Sequence, residues 1–186
     1  MAVIERTKFA VGYLSELATS KKTRLTVRRL RWALDEFEPH VNYRYVTSLL
    51  NECCSADAKD TVILECVREL IENFGADPNL GTIPDEGSLH GVTPLIIASA
   101  RAIPSVVRYL LDAGASPFTI GNAKFTWEEK GSRNVKGSHT PLEFAREMRE
   151  AEIAQWGAWG EDSEDALLDE CIALLEEAEN SKHGST

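Results

Sequence analysis

The hexapeptide Thr93-Pro94-Leu95-Ile96-Ile97-Ala98 recurs 47 residues later as Thr140-Pro141-Leu142-Glu143-Phe144-Ala145, so that both copies spell T-P-L-x-x-A. Each residue type has a reason to open a helix. Threonine accepts a hydrogen bond from one of the amides that the first helical turn leaves without an intrahelical partner. Proline tolerates the first helical position, where its missing N–H removes no bond. Leucine turns toward a core, and alanine one turn further on is small enough to let a neighbouring helix approach closely. In the second copy Glu143 stands three residues after Thr140, which completes a capping box.

Working outward, apolar residues fall at helical spacing and no apolar–polar alternation of five or more residues marks a strand, so an all-α chain is expected. Helices are expected over 6–18, 24–36, 43–54, 60–73, 94–102, 105–113, 141–154 and 164–178, arranged in pairs. Between pairs lie Gly75-Ala76-Asp77-Pro78-Asn79 and Gly114-Ala115-Ser116-Pro117, where glycine ends a helix in the left-handed conformation and proline stops it resuming. Glu38-Pro39-His40-Val41-Asn42 has the form of a third copy without its glycine. The landmarks Asn42, Asn79 and Phe118 are spaced by 37 and 39 residues, which is the self-similarity of a repeat array.

These residues resemble the ankyrin-repeat family, whose repeat opens G-x-T-P-L-H-x-A and closes with a leucine pair followed by G-A-D-x-N. The segment Gly91 to Pro117 follows that pattern without a gap, through Val106, Val107, Leu110, Leu111, Gly114 and Ala115. Residues 60–79 match the closing half, with Phe74 as an extra residue before the glycine. The family's histidine after T-P-L is Ile96 in one copy and Glu143 in the other, so the backbone hydrogen bonding it usually provides must be replaced. The resemblance implies an ankyrin-repeat solenoid of stacked helix-turn-helix pairs with elongated inter-repeat loops. It implies a single domain, 1–186, with repeats at approximately 5–42, 43–79, 88–118 and 135–179 and a disordered tail at 180–186. The 47 residues between the two threonines, against a family period of about 33, place an insertion of about 14 between Phe118 and Ser138. A second insertion separates Thr140 from Leu174-Leu175.

The resemblance also implies what such a chain does: it binds a protein partner without catalysis, through the concave groove and the hairpin loops of the array. The alternative is a regulatory or targeting subunit that positions a separate enzyme. Carried over position by position, the groove comprises Leu89, His90, Val92, Ala100 and Arg101 in the third repeat, and Lys136, Gly137, His139, Glu147 and Met148 in the fourth. The long loop from Ala123 to Ser138 adds Phe125 and Trp127 among Glu128, Glu129, Lys130 and Arg133, a mixture suited to interface recognition. The same loop could instead be a flap whose Trp127 folds over the repeat core. Trp156 and Trp159 pose the same question, and they are expected to cover the end of the stack, the alternative being interface anchors.

Charge and composition narrow the remaining classes. The chain carries a formal charge of −10, but residues 1–50 hold nine basic and five acidic side chains, so the acidity lies downstream and nucleic acid is not an expected partner. The one basic cluster, Lys21 to Trp32, has the composition of a nuclear-localisation or phosphate-binding patch, but Val27, Leu30 and Leu34 share one helical face and leave Arg24, Arg28 and Arg31 on another, which favours a solvated helix facing an acidic neighbour. The longest weakly polar run, Val92 to Ala100, is about half of the roughly 20 residues a membrane span needs. The opening Met1-Ala2-Val3-Ile4-Glu5-Arg6 lacks the apolar stretch of a signal peptide. A cytoplasmic monomer is therefore expected, with the nucleus as the alternative location. Cys53, Cys54, Cys66 and Cys171 fall among apolar residues and read as reduced core thiols. There is no C-x-x-C or H-x-x-x-H spacing, so no metal is expected. In Gly131 to Ser138 the glycine and lysine stand in the wrong order for a phosphate loop, and Glu128-Glu129 lacks the apolar pocket that acid catalysis needs. Neither a cofactor nor enzymatic activity is expected.

Overall fold

Thr26 opens the first described helix, α1 (Val27–Phe37), in a computed structural model that describes residues 16, 25–37, 43–81, 91–127, 133–156 and 164–183. Its Oγ1 accepts the Arg29 amide at 3.3 Å and its carbonyl the Leu30 amide at 2.9 Å. The chain divides into two compact units, Met1–Pro78 and Asn79–Thr186. The helix expected at 6–18 lies outside the described residues except for Glu16.

In the first unit, α1 buries Leu30, Ala33 and Leu34 and packs on α3 (Asp60–Glu72). The intervening helix α2 (Tyr43–Ser55) also packs on α3, burying Val46, Leu49, Leu50, Cys53 and Cys54 at the three- and four-residue intervals of one face. The acidic neighbour expected of the basic helix is Glu69 on α3. Arg31 donates to it through Nε at 2.8 Å and Nη2 at 2.5 Å, and Asn73 donates to the same carboxylate at 3.0 Å. A buried carboxylate needs such partners, and the Arg31 guanidinium, followed by Asn73, holds the Glu69 carboxyl below its usual range against the opposing effect of burial. All four cysteines are free and buried, as expected. The hydrogen bond with Cys66, then burial, pushes the Cys53 thiol well above its usual value, which leaves it a core residue rather than a nucleophile.

In the second unit both T-P-L openings start helices. Thr93 caps α4 (Pro94–Ala100) by accepting the Ile96 amide at 3.4 Å. At α6 (Pro141–Trp156) the capping box is reciprocal: the Thr140 amide donates to Glu143 Oε2 at 2.7 Å, and the Glu143 amide to Thr140 Oγ1 at 3.3 Å. Helix α4 has seven residues, about half the 12–15 that an isolated helix needs in water. All seven are buried, so tertiary packing rather than local propensity holds it. It packs on α5 (Pro104–Asp112) and on α6, while α5 packs on α7 (Glu164–His183) and α6 also packs on α7. The two threonine-capped helices thus lie side by side, and their successors do the same. Phe144, Leu95, Ile96 and Leu110 fill the seam, and ion pairs Arg146–Glu176 and Arg149–Asp169 clamp α6 to α7 at 2.7 and 2.8 Å.

Helix ends follow the turn chemistry. After α5 the Ala115 amide donates to the Leu110 carbonyl and the Gly114 amide to that of Leu111, with Gly114 at φ 91°. The turn after α4 repeats this pattern with Ala102 at φ 56° in glycine's place. After α3 the corresponding acceptor, Leu70, bonds to Ala76, one residue further along than in the α5 turn, which accommodates the extra Phe74.

One expectation is corrected. The insertion between Phe118 and Ser138 is an antiparallel hairpin, β1 (Gly121–Trp127) with β2 (Arg133–His139), in the register Gly121↔His139, Phe125↔Val135 and Trp127↔Arg133. Ala123, Phe125 and Trp127 do alternate with Lys124 and Thr126, which is the two-residue period of a strand. The fold is otherwise all-α and repeat-like, with seven helices among the described residues.

Candidate functional site

The residues expected to contact a partner separate into five groups, with Arg101 standing alone. Leu89 and His90 lie outside the described residues. Val92 and Met148 are 1% and 3% exposed, and Ala100 is likewise 3% exposed, so these three belong to the core and are corrected accordingly. Val92 immediately precedes the Thr93 cap, where an apolar residue packs against the first turn of the helix. Met148 lies one turn after Phe144 and Ala145 on the face of α6 that meets its neighbours. Because every residue of α4 is buried, this helix offers no position to a partner; only Arg101, its half-buried C-cap, remains.

His139 and Glu147 are brought together. His139 Nε2 lies 3.2 Å from Glu147 Oε1, and its ring meets the Phe144 ring edge-on, with centroids 4.9 Å apart and planes at 78°. The pair ties the end of β2 to α6, so its first role is to anchor the hairpin. The Glu143 carboxyl beside it is held below its usual range, first by the Thr140 amide and, to a smaller extent, by His139 and Arg146.

Phe125 and Trp127 fall on β1 and Lys136 on β2, all within the hairpin. The base of the hairpin is set by a close backbone approach: a Cβ at Gly121 would stand 2.6 Å from Ile96 Cδ1 and 2.9 Å from the Gly91 carbonyl oxygen, so only glycine fits. Immediately before it, Phe118 is 38% and Ile120 62% exposed. Neither was singled out for binding in the sequence. The available signal was an isoleucine inside the turn-forming run Ser116 to Asn122, where no helical period assigns it to the core.

Among the described residues no group of three His, Cys, Asp or Glu side chains could hold a metal ion, and no helix is long and apolar enough to cross a membrane. Among family models, the ankyrin repeat matches residues 90–122, which take in α4, its cap, α5 and the start of the hairpin. No curated protein and no solved structure shows significant similarity to the chain.

Proposed function

From the ankyrin repeat formed by residues 90–122, a unit that generally serves protein–protein interaction and is generally non-catalytic, we propose that this chain recognises a protein partner through the β1–β2 hairpin and the residues at its base. The observation that carries the proposal is the exposure of Ile120 and Phe118 next to a strand that bears Phe125 and Trp127, where Leu167 is the one other large apolar side chain exposed among those of the unit whose burial is described. Large apolar and aromatic side chains at an accessible site are the usual anchors of an interface, since burying one is worth about 1.5–3 kcal/mol. His139 and Glu147 steady the hairpin on α6. Four free, buried thiols suit a reducing compartment such as the cytoplasm. No chemistry is assigned to the chain itself.

The test is quantitative pull-down from native lysate with the wild-type chain, Ile120→Asp and Trp127→Ala. Ile120 is mostly solvated, so its substitution is expected to leave thermal stability unchanged while removing specific partners at least about tenfold. Partners retained equally by both variants would refute the hairpin as the recognition element. Recovery of one enzyme as the dominant Ile120-dependent partner would make the chain that enzyme's targeting subunit.

A further inference from the structure

We infer that the exposed face of α1 is a self-complementary surface on which a second copy of this chain docks in antiparallel orientation. Trp32 is 54% exposed, and it is the largest accessible apolar side chain among the residues whose burial is described. It forms one wall of a shallow groove of about 570 Å³ that also includes Val27 and Arg28 of α1 and Glu65 of α3. Arg28 and Arg29 stand four and three residues before it, Asp35 and Glu36 three and four residues after it, and all five side chains are exposed. Residues three and four apart share one helical face, so the cations occupy the turn before the indole and the anions the turn after it. Arg28 and Glu36 enter no side-chain ion pair among the described residues.

That order is inverted by a twofold axis through Trp32. When two such helices lie antiparallel, Arg28 of each copy faces Glu36 of the other, giving two cross-pairs around two indoles that fill each other's groove, with the Arg29 and Asp35 ends likewise opposite in sign. Interfaces of this isologous kind require a patch complementary to itself, and charge that changes sign about a central aromatic meets the requirement. An unrelated acidic or basic segment would satisfy only one end of the face. The chain's net charge does not oppose the contact at this place: residues 1–78 hold eleven basic and twelve acidic side chains, a net −1, and the other −9 of the net charge lies in 79–186. A single pair of three-turn helices buries less than a standard interface, so the dimer is weak and concentration-dependent. It would replace the monomer expected from the sequence and would present two hairpins at once, raising avidity for a multivalent partner.

This contact is independent of the hairpin, and its test does not involve the unidentified partner. Sedimentation velocity of the full chain is followed from about 10 μM to about 1 mM, the range in which small interfaces dissociate. The wild-type chain is expected to shift from monomer toward dimer. Trp32→Ala should weaken the dimer at least about tenfold, and Arg28→Glu should abolish it by setting like charges opposite each other. The double variant Arg28→Glu/Glu36→Arg should restore it, because it exchanges both members of each pair; a merely structural role for Arg28 predicts no rescue. Circular dichroism and thermal unfolding of each variant establish that it is folded. A wild-type chain that stays monomeric throughout overturns the proposal and leaves the face to a different partner. So does a dimer indifferent to Trp32→Ala, or one that the double reversal fails to restore.

Discussion

The Asn79 carboxamide closes a bridge that no local propensity explains, and removing it tests whether turn-to-turn hydrogen bonding stabilises the array. Its Nδ2 donates to the Gly114 carbonyl at 3.0 Å, and its Oδ1 accepts the Ser116 amide at 2.7 Å, across 35 and 37 residues of chain. Each neutral hydrogen bond contributes about 0.5–1.5 kcal/mol net. Because Asn79 is exposed, water competes for both partners, and Asn79→Ala is expected to cost about 1–2 kcal/mol, in the lower part of the range for two bonds. In a chain of this length that lowers Tm by about 2–8 °C. Asn79→Asp keeps the acceptor for the Ser116 amide but loses the donor and turns an oxygen toward the Gly114 carbonyl. It should therefore fall between wild type and the alanine variant near neutral pH. Below about pH 4 the new carboxyl protonates and can donate again, so its deficit should narrow relative to wild type. The assay is urea unfolding followed by circular dichroism, with the slope on denaturant checked for constancy so that the midpoint reports native stability. An alanine variant within about 0.3 kcal/mol of wild type, well below one net hydrogen bond, would show that water replaces the bridge at no cost and would refute the reasoning.

Two further outcomes follow from the geometry. The Glu69 carboxyl has a folded-state pKa below its unfolded value, so its contribution is fully present above about pH 4.3 and is lost as pH falls through the lower, folded value; urea midpoints measured at pH 7 and pH values below 4 should fall more steeply for wild type than for Glu69→Gln. At Gly114 an added Cβ meets nothing within 4 Å, yet φ is 91°, so Gly114→Ala should cost about 1–2 kcal/mol from backbone strain alone, and thermal unfolding at the wild-type midpoint would expose any smaller value.

Much of the fold was legible because the signals are short-range. The two threonine caps, the prolines after them and the capping box at Glu143 all act within four residues, and the structure forms each one. The extra Phe74 was visible as a spacing fault, and the helix end absorbs it by a longer hydrogen-bonded turn. The basic helix was expected to face an acid, and it does, but nothing near Arg31 in sequence identifies Glu69, which is 38 residues away. The hairpin escaped notice although Ala123, Phe125 and Trp127 alternate, because five residues of alternation lie at the lower limit of that signal and glycines and charges flank them.

The candidate site was less legible. Leu95, Ile96 and Ile97 announce a helix, but how many of its faces are covered depends on α5 and α6, whose positions no local rule supplies. With α4 only seven residues long and buried throughout, Val92 and Ala100 pass from expected contacts to core, and Met148 joins them on α6. Exposure of Ile120 and Trp32 is likewise a property of what fails to pack on them. The sequence by itself determined that these segments are helical and where the capped ones begin, because caps and turns are satisfied by neighbours in the chain, whereas the last helix runs on to His183, past the expected end at 178. Only the tertiary structure decided which side chains remain for a partner, because burial is set by atoms that arrive from tens of residues away.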